Sequence, residues 1–295
     1  MEYVCNICPR KCNKIRGEYY GNGICKMPYN AKISRYDLHK WEEPCISGQI
    51  GSGTIFFTGC NLQCVYCQNY KITKGELKNI GRFVSIDDIY EICQELINKG
   101  SHNINFVTPS HYIHIVKEFL QKYKDKIPVP IVYNTSSYEN IENLKELEGL
   151  IDVYLPDLKY FSKDISTKYS KAPNYFEIAS KNILEMYRQV GSCEFDDDGM
   201  LQKGVIVRHL ILPNNVKNTI DVLNWCNNNL PKDILISVMS QYTPVGEIES
   251  YPELQRKINK VEYNRVLNYM LDNDIDNGYI QELSSASTKY IPDFY

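Results

Sequence analysis

The sequence lacks the features that mark membrane-spanning proteins and nucleic-acid-binding proteins. Its 295 residues contain no run of about 18 apolar residues, which argues against a membrane span. The net charge is −3, and no basic stripe is present of the kind that binds a phosphate backbone. The amino-terminal residues also lack the apolar core of a signal peptide. We therefore expect a cytoplasmic protein with no membrane partner, and nucleic acid is not its expected partner.

The composition is that of a globular protein without internal repeats or low-complexity segments. Hydrophobic residues make up 43% of the chain and charged residues 23%, as in ordinary globular domains. A chain of this length can bury a large core. We therefore expect one large α/β domain, alone or with a small appendage.

The eleven cysteines are concentrated towards the amino terminus, where eight of them precede residue 70. Disulfides are disfavoured in a reducing cytosol, so metal ligands and core residues are the expected roles. A short Cys-rich segment cannot bury a core of its own, and a bound metal would have to stabilise it. We therefore predict a Cys-rich metal-binding segment at 1–45 and a large domain at 46–295.

From Gly53 onward, strand-like and helix-like runs alternate. Strands are predicted at 53–59, 104–108, 130–135, 151–160, 204–212, 234–240 and 278–283, and helices at 85–100, 110–123, 139–148, 174–189, 219–229 and 261–271. Such alternation predicts a parallel sheet with helical crossovers. Six or seven units favour a partial (β/α)6-type TIM barrel over a doubly wound sheet. The Asp-rich run 191–203 interrupts the pattern and predicts a surface hairpin.

Three cysteines follow the first predicted strand at the spacing C-x3-C-x2-C, namely Cys60, Cys64 and Cys67. Thiolate ligands favour an iron–sulfur cluster or zinc. Structural zinc sites are normally closed by four ligands, whereas three ligands leave a position open for catalysis. Active sites of barrels lie at the carboxyl ends of the strands, which also favours catalysis here. A zinc knuckle with a fourth ligand elsewhere is the alternative.

With Tyr66 as its aromatic residue, this motif resembles the signature of the radical S-adenosylmethionine (SAM) superfamily. The resemblance extends over most of the chain, and it is strongest to an uncharacterised branch related to the pyruvate formate-lyase activating enzyme. The runs that carry it are EEPCISG (42–48), GSGTIFFTGCNLQCVYCQNY (51–70), YLPDLKY (154–160), VRHLILP (207–213), ISVMSQYTP (236–244) and YIPDF (290–294).

The resemblance implies that Cys60, Cys64 and Cys67 bind a 4Fe–4S cluster whose fourth iron chelates SAM. A low-potential donor such as flavodoxin or ferredoxin would supply one electron, and SAM would be cleaved to methionine and a 5′-deoxyadenosyl radical. That radical would abstract hydrogen from a substrate, such as a glycyl residue of a partner protein. We therefore expect an activating-enzyme-like oxidoreductase. The alternatives are radical modification of a small molecule, peptide or RNA, and a non-enzymatic iron–sulfur protein.

The ends of the other strands supply candidate SAM-binding residues. Many relatives have a Gly-Gly-Glu run after the second strand, and it binds the amino group of the methionine part of SAM. This chain has Thr108-Pro109-Ser110-His111 there, so backbone carbonyls would have to bind that amino group. Lys159 could pair with the SAM carboxylate and Asp157 could face the sulfonium. Arg208 lies within an apolar predicted strand, where an unpaired charge would be costly, so a buried ligand or an acidic partner is expected. The full set of candidates is Tyr66, Thr108, Asn134, Ser136, Asp157, Lys159, Arg208 and Gln241.

Cys5, Cys8, Cys12 and Cys25 form a second set with the spacing C-x2-C-x3-C-x12-C. Four soft ligands within a short segment predict a closed site for zinc or an auxiliary 4Fe–4S cluster. The expected role is structural, as a metal staple on the barrel, and electron relay or substrate contact is the alternative. Cys45 could replace Cys25 as a ligand, act as a reactive thiol, or be buried.

The remaining cysteines and two histidines are assigned from their surroundings. Cys93 and Cys226 lie on apolar helix faces and are expected in the core, while Cys193 lies in the predicted hairpin. His209 is expected to form a structural hydrogen bond. His111 could begin a helix or contact substrate.

Overall fold

The computed structural model of the protein describes residues 2–74, 77–287, 292 and 294. Of the run predicted at 290–294, only Pro292 and Phe294 are among them, and the other three residues lie outside the described part. None of the helices in the described part combines the length and the apolar character that crossing a membrane requires.

Strands and helices alternate along most of the described chain. The strands are β1 (Glu2–Val4), β2 (Ile15–Gly17), β3 (Lys32–His39), β4 (Ser52–Phe57), β5 (Arg82–Phe83), β6 (Ile104–Val107), β7 (Ile131–Thr135), β8 (Val153–Pro156), β9 (Glu194–Phe195), β10 (Leu201–Leu210), β11 (Leu235–Met239) and β12 (Gly278–Ile280). The α-helices are α1 (Pro44–Ser47), α2 (Tyr70–Thr73), α3 (Ile86–Asn98), α4 (Ile113–Tyr123), α5 (Ile141–Lys145), α6 (Lys163–Ser170), α7 (Tyr175–Val190), α8 (Val216–Asn229) and α9 (Lys260–Asp272).

Seven neighbouring strands form a parallel sheet in the order β12-β11-β10-β8-β7-β6-β4. Every residue of β4, β6, β7 and β8 is buried, as expected for parallel strands covered on both faces. Because helices connect these strands, the predicted fold class, a partial TIM barrel, is confirmed. The strands end at a common edge, which gathers the residues that follow them.

Several predicted elements are confirmed, with small shifts at their ends. Helix α3 begins with a capping box, in which the Ser85 hydroxyl accepts a hydrogen bond from the Asp88 N–H and the Asp88 side chain accepts one from the Ser85 N–H. The run 110–123 starts with a 3-10 turn at Ser110–Tyr112 before α4 begins. The predicted hairpin is also present, because β9 pairs antiparallel with the start of β10.

The structure adds elements that the sequence pattern did not indicate. Strand β3 pairs antiparallel with β4 and extends the large sheet at that edge, and the short β5 pairs with β3. The Cys-rich segment therefore contributes a strand to the large sheet, while β1 and β2 form a separate antiparallel pair. The domain boundary after residue 45 stays a prediction.

Two core assignments are confirmed by burial. Cys93 and Cys226 are buried within the main hydrophobic core, on the inner faces of α3 and α8. Cys45 is also buried, in a smaller cluster with Ile46 and Val153. Of the three roles considered for Cys45, burial is the one observed.

Candidate active site

A cavity of about 200 Å³ lies at the carboxyl ends of the parallel strands. The residues that line it follow different strands: Thr108 follows β6, Ser136 follows β7 and Asp157 follows β8. All eight candidate SAM-binding residues line this cavity together with the three cysteines of the central motif. They are Tyr66, Thr108, Asn134, Ser136, Asp157, Lys159, Arg208, Gln241, Cys60, Cys64 and Cys67.

Each of the three cysteine sulfurs lies within hydrogen-bond distance of one protein donor. The Leu62 N–H donates to Cys60 at 3.3 Å and the Ser170 hydroxyl donates to Cys64 at 3.1 Å, and the Thr73 hydroxyl lies 3.3 Å from the Cys67 sulfur. Hydrogen bonds to cluster sulfurs are one means by which proteins adjust a reduction potential. The three thiols, with an open cavity beside them, form a set of ligands that fits an iron–sulfur cluster.

Within the described residues, no three His, Cys, Asp or Glu side chains converge on the position of a single metal ion. The assignment of a cluster to Cys60, Cys64 and Cys67 accordingly rests on the chemistry of their thiols and on the cavity that they share.

The loop that carries these cysteines has an unusual backbone held by specific contacts. Gly59 has φ +84° and Gln63 has φ +59°, both in the left-handed region. The Gln63 amide donates to the carbonyls of Cys60 and Thr73, each at 2.8 Å, and so ties the loop to α2. These contacts direct the thiols of one short loop into the same cavity.

Tyr66, between the second and third cysteines, is buried among three other tyrosine rings. The centroids of Tyr160, Tyr169 and Tyr242 lie 6.3, 6.0 and 6.2 Å from its own, each in an edge-to-face arrangement. Such pairs contribute beyond the apolar area they bury. The aromatic residue of the motif therefore anchors the loop, and it also lines the cavity.

A network of charged side chains forms the deep part of the cavity. The Arg208 guanidinium donates to Asp157 at 3.0 Å, to Glu42 at 2.8 Å and to the Asn134 side-chain oxygen at 2.5 Å. The Lys159 ammonium donates to the other Asp157 oxygen at 2.6 Å. The network thus joins two basic and two acidic side chains, and both Asp157 oxygens are used within it.

The surroundings keep the groups of this network ionised. Burial raises the pKa of Asp157, but the charges of Lys159 and Arg208 outweigh burial and hold that pKa below its ordinary value. Burial alone would lower the pKa of Lys159. The interactions with Asp157 and Cys64 raise this pKa by more than burial lowers it, so the net shift is upward. Lys159 therefore presents a positive charge beside the cysteine loop.

Glu42 is a site residue that the sequence reasoning did not assign. It comes from the connection between β3 and α1 and contacts both Arg208 and Asn134, the latter at 3.1 Å. The sequence did carry a signal, since a buried arginine in an apolar strand requires an acidic partner. Nothing in the pattern indicated which of the 36 acidic residues it would be.

The departure from the family pattern after β6 has its own conformation. Thr108 has φ +59°, which is rare for a β-branched residue, and its N–H donates to the Asn134 carbonyl at 2.9 Å. A residue in such a region costs about 1–3 kcal/mol, and strain of this kind clusters at functional sites. In the next loop, the buried Ser136 hydroxyl has no hydrogen-bond partner among the described residues. The cavity therefore offers a polar group that a ligand could satisfy.

A buried carboxyl group supports these two loops from behind. Glu139 hydrogen-bonds to the hydroxyls of Ser110, at 2.5 Å, and Thr135. Burial raises the pKa of Glu139 to about 7. Thr135 lines the cavity, so Glu139 positions a cavity residue without reaching the cavity itself.

The structure separates the roles of the two histidines. The His209 Nδ1 donates to the Leu158 carbonyl at 2.7 Å and its Nε2 lies 3.0 Å from the Thr219 hydroxyl, so the expected structural role is confirmed. His111 lies in the 3-10 turn and its Nε2 donates to the Thr58 carbonyl at 2.7 Å. It lines a second, smaller cavity and not the large one.

The second cavity is formed by the predicted amino-terminal cysteine set. Cys5, Cys8, Cys12 and Cys25 all line it, so the structure brings the four together. Asn61, which lies within the loop of the central motif, lines the same cavity. The two cysteine sets are therefore neighbours.

The chain matches known proteins in both sequence and fold. The family model described as the Radical SAM superfamily matches residues 54–226. An uncharacterised protein of Methanocaldococcus jannaschii is 31% identical over 271 residues, which cover 89% of this chain and 73% of the relative.

Solved structures of low sequence identity share the fold. SuiB of Streptococcus suis bound to the precursor peptide SuiA has a TM-score of 0.55 and 13% identity, covering 78% of this chain and 48% of SuiB. HydG, a maturase of the FeFe hydrogenase, has a TM-score of 0.52 and 12% identity, covering 80% of this chain and 53% of HydG. A spore photoproduct lyase mutant has a TM-score of 0.51 and 11% identity, covering 84% of this chain and 79% of the lyase.

This chain thus spans about half the length of SuiB. The family match covers more than half of the present chain and includes the three-cysteine loop and most of the cavity residues. Superfamily members cleave SAM with an iron–sulfur cluster. The chain belongs to the radical SAM superfamily.

Proposed function

We propose that this chain is a radical SAM enzyme in which Cys60, Cys64 and Cys67 hold a 4Fe–4S cluster and the large cavity binds SAM. The observation that carries the proposal is that the predicted SAM-binding residues, which come from separate strands and from the loops after them, line one cavity with these three thiols. When bound, the cluster supplies the electron that cleaves SAM to methionine and a 5′-deoxyadenosyl radical, which abstracts hydrogen from the substrate.

The charged residues of the cavity bind and orient the amino-acid end of SAM. Lys159 carries a positive charge beside the Cys64 loop, so it is the partner for the SAM carboxylate. Both carboxylate oxygens of Asp157 accept hydrogen bonds, one from Lys159 and one from Arg208. Asp157 therefore positions these two side chains. The unpartnered Ser136 hydroxyl is available to a polar group of the nucleoside.

Apolar side chains exclude water from the same cavity. Phe56, Val107, Leu210 and Met239 line it, so a reactive carbon radical formed there meets few solvent molecules. This arrangement supports hydrogen abstraction from a bound substrate in preference to quenching.

We propose that the hydrogen donor is a glycyl residue of a partner protein and that flavodoxin or ferredoxin supplies the electron. Trp41 lines the cavity and is about half exposed (52%), and aromatic residues of this kind are enriched at protein interfaces. SuiB was solved with a precursor peptide bound, which supports a polypeptide substrate for a protein of this fold. The chain would then act as an activating enzyme.

We also propose that Cys5, Cys8, Cys12 and Cys25 bind a second metal group, either zinc or a 4Fe–4S cluster. All four line one cavity, which supports this assignment because four thiolates form a closed set of soft ligands. The role proposed for the group is structural.

The first experiment measures SAM cleavage. Protein reconstituted without oxygen and reduced with dithionite is expected to convert SAM to 5′-deoxyadenosine, and Cys64→Ala is expected to abolish the conversion. Cys193→Ala is the matched control, since Cys193 lies in the hairpin and lines neither cysteine cavity. Equal conversion by Cys64→Ala and the control would contradict the cluster assignment.

The second experiment tests the SAM-binding role of Lys159. Lys159→Ala is expected to weaken SAM binding by about tenfold or more, because a charge-assisted hydrogen bond is lost. Calorimetry measures the affinity, and iron content checks that the cluster is retained. An unchanged affinity with full iron content would remove Lys159 from the site.

The third experiment identifies the radical acceptor. A glycyl-type signal in electron paramagnetic resonance (EPR), formed when the reduced enzyme and SAM are mixed with a candidate partner, is the expected result. Transfer of deuterium to 5′-deoxyadenosine from a labelled small molecule, without any such signal, would instead assign the enzyme to small-molecule substrates.

A further inference from the structure

A half-buried side chain of the amino-terminal segment, Arg10, contacts the central cysteine loop. Arg10 lies between Cys8 and Cys12, and its guanidinium donates to the backbone carbonyls of Asn61 at 2.8 Å and Leu62 at 2.6 Å. Both residues lie between the first and second cysteines of the central loop. The segment that carries one cysteine set thus holds the backbone of the other.

The same guanidinium also reaches the end of α6. It donates to the carbonyls of Ser170 at 2.6 Å and Lys171 at 2.5 Å, and the Ser170 hydroxyl in turn donates to the Cys64 sulfur at 3.1 Å. Arg10 therefore joins the cysteine loop to the residue that hydrogen-bonds one of its sulfurs. Its planar guanidinium, with donors on three nitrogens, suits four carbonyls on two segments, which a lysine could not satisfy together.

A second contact joins the two cysteine sets directly. Gly59, the residue before Cys60, packs so closely that a Cβ atom there would lie 2.4 Å from the Met27 Cγ and 3.0 Å from the Cys25 carbonyl oxygen. A methyl group cannot be accommodated at such distances without movement of one segment. The residues around Cys25, the last of the amino-terminal cysteines, are thus packed against the start of the central cysteine loop.

The small cavity between these contacts has polar atoms that the protein leaves unsatisfied. Arg16, Asn61 and His111 line it, and each has one buried nitrogen or oxygen without a hydrogen-bond partner among the described residues. Arg16 is only 2% exposed, and another of its nitrogens lies 3.8 Å from the Cys5 sulfur. A buried guanidinium needs an anionic partner. A metal group held by four thiolates carries negative charge and would supply one.

We propose that the metal group of the amino-terminal cysteines fixes the loop of Cys60, Cys64 and Cys67 through Arg10. This inference rests on the second metal proposed above, and it makes Arg10 a positioning residue for the SAM-binding cluster. Metal binding orders the segment of residues 5–25, which holds the Arg10 guanidinium against the loop. Without that support, the loop retains its thiols but loses the two Arg10 hydrogen bonds to its backbone and its link, through Arg10, to the end of α6.

The existence of the second metal is tested in a variant that lacks the central ligands. The triple variant Cys60→Ala, Cys64→Ala and Cys67→Ala is expected to retain one metal group per chain when purified without oxygen. Metal analysis for zinc, iron and sulfide distinguishes a zinc ion from an iron–sulfur cluster. A triple variant without stoichiometric zinc or iron would overturn the second metal site.

The coupling is tested separately with Arg10→Ala in the otherwise intact, fully loaded protein. Addition of SAM changes the EPR spectrum only of a cluster with an open iron, so the SAM-shifted signal reports the central cluster alone. On exposure to an iron chelator, this signal is expected to decay about tenfold faster or more in Arg10→Ala than in the wild type. Lys14→Ala, which removes an exposed positive charge from the same segment, is the matched control and is expected to match the wild type.

Two further results complete the test. Arg10→Lys keeps the charge without the forked geometry of the guanidinium. Its decay rate is expected to lie between those of the wild type and Arg10→Ala, and it replaces Arg10→Ala in the test if that variant does not fold. A wild-type decay rate in both Arg10 variants would overturn the coupling, whatever metal the triple variant contains. Failure of the second metal and failure of the coupling are therefore distinguishable.

Discussion

Asp157→Asn removes the carboxylate that joins Arg208 to Lys159, and it tests how strongly the cavity depends on that junction. The side chains of Asp157, Arg208 and Lys159 are 14%, 10% and 19% exposed, so their charges are shielded from water. Removing one partner of a buried ion pair typically costs about 3–5 kcal/mol. Arg208 keeps Glu42 as an acidic partner, while Lys159 keeps no acidic partner among the described residues, so we expect a loss near the lower limit, about 3 kcal/mol.

Equilibrium unfolding in guanidinium chloride, on metal-free protein kept reduced, measures this loss as a free energy of unfolding. Glu142→Gln is the control, because the Glu142–Lys145 pair is 78% and 48% exposed. Such a surface pair contributes below about 1 kcal/mol. The difference between the two variants isolates the effect of burial from the effect of removing a charge.

The loss also has a predictable pH dependence. The pKa of Asp157 in the folded protein lies below its ordinary value, so its contribution is fully present above the unfolded pKa of about 3.9. That contribution is lost as pH falls from there through the folded pKa. We therefore expect the difference between wild type and Asp157→Asn to be constant from pH 7 to about 5 and to shrink below about 4.

A loss no larger than that of Glu142→Gln, or one that does not shrink at low pH, would refute the reasoning. It would mean that Arg208 and Lys159 are solvated well enough to need no shared carboxylate. The cavity would then be a wetter and more open site than its geometry indicates.

Three further changes probe the site and its supports. Ser170→Ala removes the hydroxyl that donates a hydrogen bond to the Cys64 sulfur. Redox titration is therefore expected to show a cluster reduction potential lower by on the order of 30 mV, and an unchanged potential would contradict the role of Ser170 in adjusting it. Gly59→Ala places a methyl group against Met27 at a positive φ, and a loss of about 1–3 kcal/mol or more in the free energy of unfolding is expected; a neutral change would contradict the close packing. Glu139 has its pKa raised to about 7 by burial, so wild-type stability is expected to fall as pH rises from about 4.3 to 7. Glu139→Gln is expected to remove that slope, and equal slopes by thermal unfolding across this range would contradict the assignment.

The parallel barrel could be predicted because each of its strands is a local signal. Strands such as β6 and β7 are short, fully buried runs rich in β-branched and aromatic residues, and helical patterns lie between them, so both type and order were available from the sequence. Strand β3 was missed because it lies next to the antiparallel edge and mixes polar with apolar residues at half-buried positions. Helix α6 was missed because its mean composition is polar and it buries only Ser166, Tyr169 and Ser170.

The predictability of the site follows the same division. Residues that directly follow a strand, such as Ser136 and Asp157, could be assigned to the cavity because strand ends meet at one edge. Glu42 comes from a connection outside the strand pattern and could not. The role of Arg10 could not be predicted either, because its carbonyl partners lie 51 to 161 residues away along the chain.

The reach of Arg10 across the sequence constrains the order in which the protein assembles during synthesis. Its cysteine neighbours leave the ribosome early, whereas Lys171 follows 161 residues later. At 5–20 residues per second, that interval is roughly 10–30 s. During this interval the thiols of the amino-terminal cysteines lack the segment around Lys171 that Arg10 contacts in the folded protein. They are then accessible to metals and oxidants in the cell. For the second metal proposed above, loading of the nascent segment would therefore depend on timing as well as on affinity.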